Sequence, residues 1–441
     1  MIEKYTIIID LKDKNRMKKL AEILFVLSIF LCISCKEDES GIPVEETNIH
    51  EGHEYVDLGL PSGALWATTD VEVDGSVFFS WGETTPKSSY MSGTYRYLAG
   101  ADSTLTKYCT DALCGNEGFI DGLFELKPED DAAYVNWGGD WCMPVWDEWK
   151  ELYDNCTWKT ETGEDDILVF VGTSKINGKQ ISFKGTGAMQ GTKLLYGGKG
   201  AYYWSSTLIA DTCMYANGIS FSPSSINMKE GKRPMGHCVR AVIPGDRTAL
   251  RLVDLGLPSG VKWACTNLGA TSPEKAGLLY AWGECVPKSF YDFTNYKYCK
   301  GTPMTLTKYC TDSGYGVIDG KTSLDAEDDA ALQLLGEGWR MPTLDELNEL
   351  MEKCTWTFET IGEQKGYTVT GPNGNSIFLP MSGTMWQSEM EYQNMRGFYW
   401  TSTLDDAGDM WAEGLFINPQ SFSLGTGFTR ASGRTIRAVH D

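Results

Sequence analysis

The 441-residue chain is short of histidine and short of positive charge: it has four His, and 38 Lys plus Arg stand against 60 Asp plus Glu. The resulting net charge of −22 excludes a nucleic-acid binder, because phosphates need a basic surface. It argues equally against adhesion to anionic lipid heads. The four histidines are His50, His53, His237 and His440. They are too few for repeated His-based catalysis or for a zinc pattern, and outside residues 32–35 no C-x-x-C pair is present. The most apolar run, Leu20–Ser34, is short for a membrane span.

What is abundant points elsewhere. Aromatics make up 12% of the chain, with 15 Trp beside 48 Gly. That mixture favours short strands, tight turns and rigid ring packing over a helical bundle. The organising feature is a repeat. VDLGLPSGALWA at Val56 returns as VDLGLPSGVKWA at Val253, and LTKYCTD occurs at Leu105 and Leu306. EDDAA follows at Glu129 and Glu327, WCMP and WRMP at Trp141 and Trp339, and CTW at Cys156 and Cys354. AYYWSST and GFYWTST lie at Ala201 and Gly397, and CVRAV and TIRAV at Cys238 and Thr435. The offset stays near 200 residues throughout, so two tandem domains are written, one at 51–243 and one at 248–441. Pro244-Gly245-Asp246 is a turn-rich joint, short enough that the copies should touch.

Within each copy the pattern predicts a strand bearing Trp66 or Trp263, then a hairpin around Asp74-Gly75 in the first copy. A loop-rich stretch follows. Two helices come next, over about 130–135 and 326–335 and then after each Met-Pro. Thr343 with Glu346 forms a capping box at the second of these, whereas Val145 leaves the equivalent start in the first copy uncapped. Asn177-Gly178 and Asn373-Gly374 mark late hairpins, and strands close each copy. The fold class is therefore α+β.

Lys18-Lys19, the apolar run and Ser34-Cys35 resemble a bacterial lipoprotein signal, with Cys32 where such a box usually has Leu. The resemblance implies a signal peptide over 1–35, lipidation of Cys35 and a flexible tether over 36–50. The acidic Lys36-Glu37-Asp38-Glu39 resembles an export signal to the outer face of the outer membrane. Met17-Lys18-Lys19 reads as an alternative start, and an uncleaved anchor helix is the alternative to lipidation. Either places the body outside the cytoplasm, where some of the 11 remaining cysteines can pair. Cys109/Cys310 and Cys156/Cys354 recur in both copies; most of the others read as buried or free thiols.

The order W-R-M-P-T-x-x-E-L, C-T-W, Y-W-S-S-T and a closing R-x-I/V-R-A-V resembles the FISUMP domains and the related Lcl C-terminal-type domains of bacterial surface lipoproteins. The resemblance implies two C-type-lectin-like domains, each a twisted antiparallel sheet with two helices and long loops. Formylglycine-generating enzymes look like distant relatives, but their cysteine pair has no counterpart in the second copy. Cys142 stands where the pattern expects Arg, which leaves the ion pair of that helix entry without its cation.

No catalytic residue, metal ligand or cofactor is assigned. Shared carboxylates such as Asp57/Asp254, Glu83/Glu284, Asp130/Asp328, Asp131/Asp329, Asp147/Asp345 and Glu148/Glu346 mostly sit at helix starts, where the dipole favours them. Asp70–Gly75 begins like a calcium loop, but its twelfth position is Trp81 and the second copy has nothing comparable. The paired tryptophans read as core. The copies diverge in their late loops, and there the candidate ligand-binding residues lie: Tyr196, Tyr215, Lys229 and Lys232 in the first, Trp386, Tyr392, Trp411, Phe416, Phe428 and Arg430 in the second. Exposed aromatics on a strand framework stack on sugars or anchor protein contacts. The expectation is a surface lipoprotein that binds an extracellular glycan or protein. The alternative is a structural or assembly component, such as a fimbria-associated subunit.

Overall fold

Turn chemistry sets the strand order. Asp74 and Gly75 both adopt positive φ, which closes the tight turn that the Asp-Gly pair predicts. The Asn-Gly turns at 177–178 and 373–374 join strands Leu168–Ser174 to Gln180–Lys184 and Gln364–Thr370 to Ser376–Pro380. The computed structural model describes residues 48–100, 104–209 and 214–441. The signal peptide, Cys35 and nearly all of the tether lie outside the described residues, as does Cys213.

Strands dominate and helices are few and short. In the first copy, Leu65–Asp70 pairs antiparallel with both His53–Asp57 and the closing strand Arg240–Ile243. The second copy does the same with Lys262–Ala264, Leu252–Val253 and Val439–His440. Each copy thus joins its beginning to its end. A three-strand meander follows the longer helix in each, Cys156–Thr162 onward and Thr355–Ile361 onward. The late antiparallel strands are Ala201–Leu208, Tyr215–Ser222 and Ser225–Lys232, and in the second copy Gly397–Leu404, Trp411–Asn418 and Ser421–Thr429. No sheet among the described residues pairs a strand of one copy with a strand of the other.

Each copy buries its own aromatic core. One cluster gathers Trp66, Trp149, Phe183 and Phe221 and another Trp81, Tyr108, Trp141 and Trp204, with matching clusters around Trp263 and Trp282. The indole N–H groups of Trp81 and Trp204 donate to Ser205 O and Phe79 O, each at 2.8 Å. Trp282 and Trp400 repeat this with Thr401 O and Tyr280 O, each at 2.8 Å. A large ring can be buried without loss when its one donor is used.

The helices show how the two copies solve one problem differently. Thr343 caps Leu344–Lys353 by accepting from Glu346 N, and the Glu346 carboxylate accepts from Thr343 N at 2.8 Å. In the first copy Val145 offers no side-chain cap to Trp146–Asn155, yet Glu148 still accepts from Val145 N at 2.9 Å. Arg340 grips Glu346 with Nη1 at 2.8 Å and Nη2 at 2.6 Å. Cys142 cannot do this. Instead Arg247, on the short joint helix Arg247–Arg251, grips Glu148 with Nε at 3.0 Å and Nη2 at 2.9 Å. Arg251 of the same helix pairs with Asp147 and Glu125. The joint therefore supplies the missing cation and clamps the first copy. Phe124 packs against the core of the second copy, and a Cβ on Gly122 would stand 2.6 Å from Pro287 Cδ, so the copies do touch.

Candidate functional site

The shared acids have structural partners. Asp131 and Asp329 cap the helices Ala132–Trp137 and Ala330–Leu335 and also accept from Met143 N and Met341 N. Asp130 and Asp328 cap nothing. Asp130 holds Lys107 Nζ at 2.5 Å and Tyr108 Oη at 2.7 Å; Asp328 holds Lys308 Nζ and Tyr309 Oη, each at 2.6 Å. Burial alone would raise the pKa of Asp328, but the lysine and tyrosine hydrogen bonds take it well below the carboxylate range. Asp325, Glu327 and Asp328 converge closely enough to hold a cation, but Lys308 Nζ already sits among them at 2.6, 3.0 and 2.6 Å. Asp57 and Asp254 brace their turns through Gly59 N and Gly256 N, and Glu83 and Glu284 pair with Lys87 and Lys288.

The cysteines mostly match the reading as thiols. Among the described residues nine are free, and Cys114 is disulfide-bonded. Burial pushes Cys142 up to about 12 and Cys156, Cys310 and Cys354 up to about 11.

Arg430 is not at the surface. It is fully buried, its Nη1 donates to Tyr309 O and Asp409 O at 2.8 Å, and Trp282, Tyr296 and Tyr309 surround the guanidinium. Arg233 occupies the same place in the first copy, equally buried. Phe428 is buried too, so the exposed-loop reading of both Phe428 and Arg430 is corrected. The strand pairing slips between Ala412 and Gly414, and Phe428 comes to lie opposite Ala412 with its ring against Phe398.

The other candidates separate into groups. Tyr392 is exposed and Phe416 half-buried, and both belong to one ring cluster in the second copy. Phe398 lies 6.3 Å from Tyr392, 5.4 Å from Phe416 and 5.7 Å from Phe428, centroid to centroid. Arg396 stacks over Tyr392 at 4.3 Å and reaches Phe416 at 6.0 Å. Half-buried Trp386 sits on the neighbouring hairpin strand, Thr384–Trp386, paired with Glu389–Glu391. Trp411 stands apart, close to Gly408 and Tyr315. In the first copy Tyr196 is 63% exposed and tilts over Tyr202 at 5.7 Å, while Tyr215 and Lys232 meet separately at 6.0 Å. Lys229 lies on the strand Ser225–Lys232, paired with Gly218; its side chain is outside the described residues.

Three residues of this cluster were not read from the sequence: Arg396, Phe398 and Arg434. Arg434 is 7% exposed, and its guanidinium lies 4.0 Å from the Phe428 ring, 4.8 Å from Trp400 and 4.9 Å from Phe398. Among the described residues its Nε and Nη1 have no hydrogen-bond partner, and burial lowers its pKa to about 9. The first copy places His237 there, stacked on Trp204 at 4.0 Å and driven by burial down to about 3, hence neutral. The signal was available: R-x-I-R against H-C-V-R is a gain of charge in an otherwise matched motif.

A cavity of about 50 Å³ between the copies, lined by Phe124, Trp146, Arg251, Thr271, Leu335 and Trp339, has room for little beyond water. Among the described residues, no helix is long and apolar enough to cross a membrane. The chain matches no family model, no curated protein and no solved structure in these comparisons.

Proposed function

We propose that the chain is a lipid-anchored outer-membrane protein, displayed at the cell surface. Its tandem C-type-lectin-like domains bind an extracellular ligand, a glycan or a protein, through aromatic residues of their late strands. The paired first and last strands of each copy, the two helices and the late antiparallel strands support that fold. One observation carries the binding reading: Tyr392, Arg396, Phe398 and Phe416 form a continuous ring-and-cation platform that reaches the surface. Aromatic and arginine side chains held on strands lose little freedom on binding and dominate recognition energetics.

The test is a screen of the full-length chain against a glycan array and a panel of extracellular proteins, beside Tyr392→Ala, Tyr215→Ala and Trp411→Ala. Tyr392→Ala should abolish a detected interaction. Trp411→Ala reports whether the contact extends toward Tyr315. If all three variants bind like the parent, the platform is not the site.

A further inference from the structure

The platform of the second copy contains two arginines without an acid. Among the described residues no carboxylate pairs with Arg396 or Arg434, in a chain that has 60 acidic residues to offer. Buried guanidinium groups ordinarily find carboxylates or carbonyls, because an uncompensated charge in a dry site is costly. Arg430 obeys that rule through backbone carbonyls and Arg240 through Asp70 at 2.6 Å, while Arg233 does so in part, with Nη1 on Tyr108 O and Nη2 unpartnered among the described residues. Arg434 departs from it further: among the described residues its Nε and Nη1 have no partner, and the rings of Phe398, Trp400 and Phe428 lie around it.

The surroundings identify the kind of partner. The hairpin beside the platform exposes Met390 and Met395 next to Tyr392. Flexible thioethers, Tyr and Arg are the residues that protein interfaces favour over ordinary surface. Unpaired cations on a body of net charge −22 also orient an acidic partner, because the rest of the surface repels it.

Building on the platform reading, we propose that the second copy captures a protein segment presenting an acidic side chain beside an apolar one. The carboxylate is received by Arg396 and Arg434, and the apolar side chain lies on Tyr392 and Phe416. The first copy has Gly200 at the position of Arg396 and neutral His237 at that of Arg434, so it lacks this acid preference.

Fluorescence anisotropy of the full-length chain tests this with labelled octapeptides of alternating Glu and Phe, the same peptides with Gln for Glu, and a labelled glucuronate-containing trisaccharide. The Glu peptide should bind about ten-fold tighter than its Gln counterpart, a difference that high salt erodes. Arg396→Gln and Arg434→His should each remove about that factor. Arg396 is exposed, and His at 434 is what the first copy carries in the same setting, so neither variant should unfold the protein. Equal binding of Glu and Gln peptides, or full binding by both variants, overturns the inference. If only the trisaccharide binds, and Tyr392→Ala abolishes it, the acidic-segment inference fails while the platform reading stands. If no probe binds the parent chain, the acidic-segment inference fails and the platform reading is left to its own screen.

Discussion

Removing Arg247 should loosen the first copy more than any ordinary surface change. Glu148 is fully buried, and Arg247 meets both of its carboxylate oxygens at 3.0 and 2.9 Å. Arg247→Ala leaves that carboxylate with the backbone N–H of Val145 and no cation. Breaking a buried pair from one side costs about 3–5 kcal/mol. Arg247 keeps 29% of its side chain in solvent, so water partly replaces it, and about 2–3 kcal/mol is the better figure. For a domain of this size that lowers the melting transition by roughly 5–10 °C, measurable by differential scanning calorimetry of the full chain. The second copy supplies the control. Its Arg340 occupies the position of Cys142 and grips Glu346 directly. Adding Cys142→Arg to Arg247→Ala should therefore recover at least about half of the loss. A change below about 0.5 kcal/mol for Arg247→Ala, or no recovery in the double variant, would refute the reasoning.

Other perturbations have signs that can be worked out. Burial and the nearby Asp405 and Asp406 raise Glu413 to about 7, above its unfolded value. The folded state therefore binds its proton more tightly, and the associated stability is present below about pH 4.5 and lost as pH rises toward 7. Glu413→Gln should stabilise the chain by about 1–3 kcal/mol at pH 8 and hardly at all at pH 4, read from denaturant titrations. Asp328 is the opposite case, held low by Lys308 and Tyr309 against its burial, so its contribution exists above its unfolded pKa and fades in acid. Asp328→Asn should cost about 3 kcal/mol at neutral pH and markedly less in acid; an equal loss at both would show that shape, not charge, is responsible. Metabolic labelling with radioactive palmitate should mark the parent chain and not Cys35→Ala; an unlabelled parent chain would remove the lipid anchor from the account.

Local grammar was readable and long-range pairing was not. The Thr343–Glu346 box and the Asn-Gly turns depend on neighbours within a few residues, and they appear where the sequence places them. Acids at the first helix were read as dipole partners. Asp329 does cap, but Asp328 turns to Lys308 and Tyr309, about twenty residues back. The cation for Glu148 comes from the joint, 99 residues away, so Cys142 looked like a loss that the structure shows to be compensated. In the candidate site, Tyr392 and Phe416 were legible as divergent late aromatics. Arg430 was misplaced because its guanidinium is held by Tyr309 O and Asp409 O, 121 and 21 residues back along the chain, and no local pattern announces such partners. Arg434 was marked in the sequence by Arg standing where the first copy has His237, but its lack of a partner is a property of the packing around it.

The central claim is that ligand meets this protein at the late strands of the second copy. Amide hydrogen exchange of the full chain, with and without the ligand returned by the screen, tests it most directly. The account predicts slowed exchange over 384–398 and 411–429 and little change elsewhere. Protection confined to the joint helix 247–251 or to the helices 146–155 and 344–353 would contradict it.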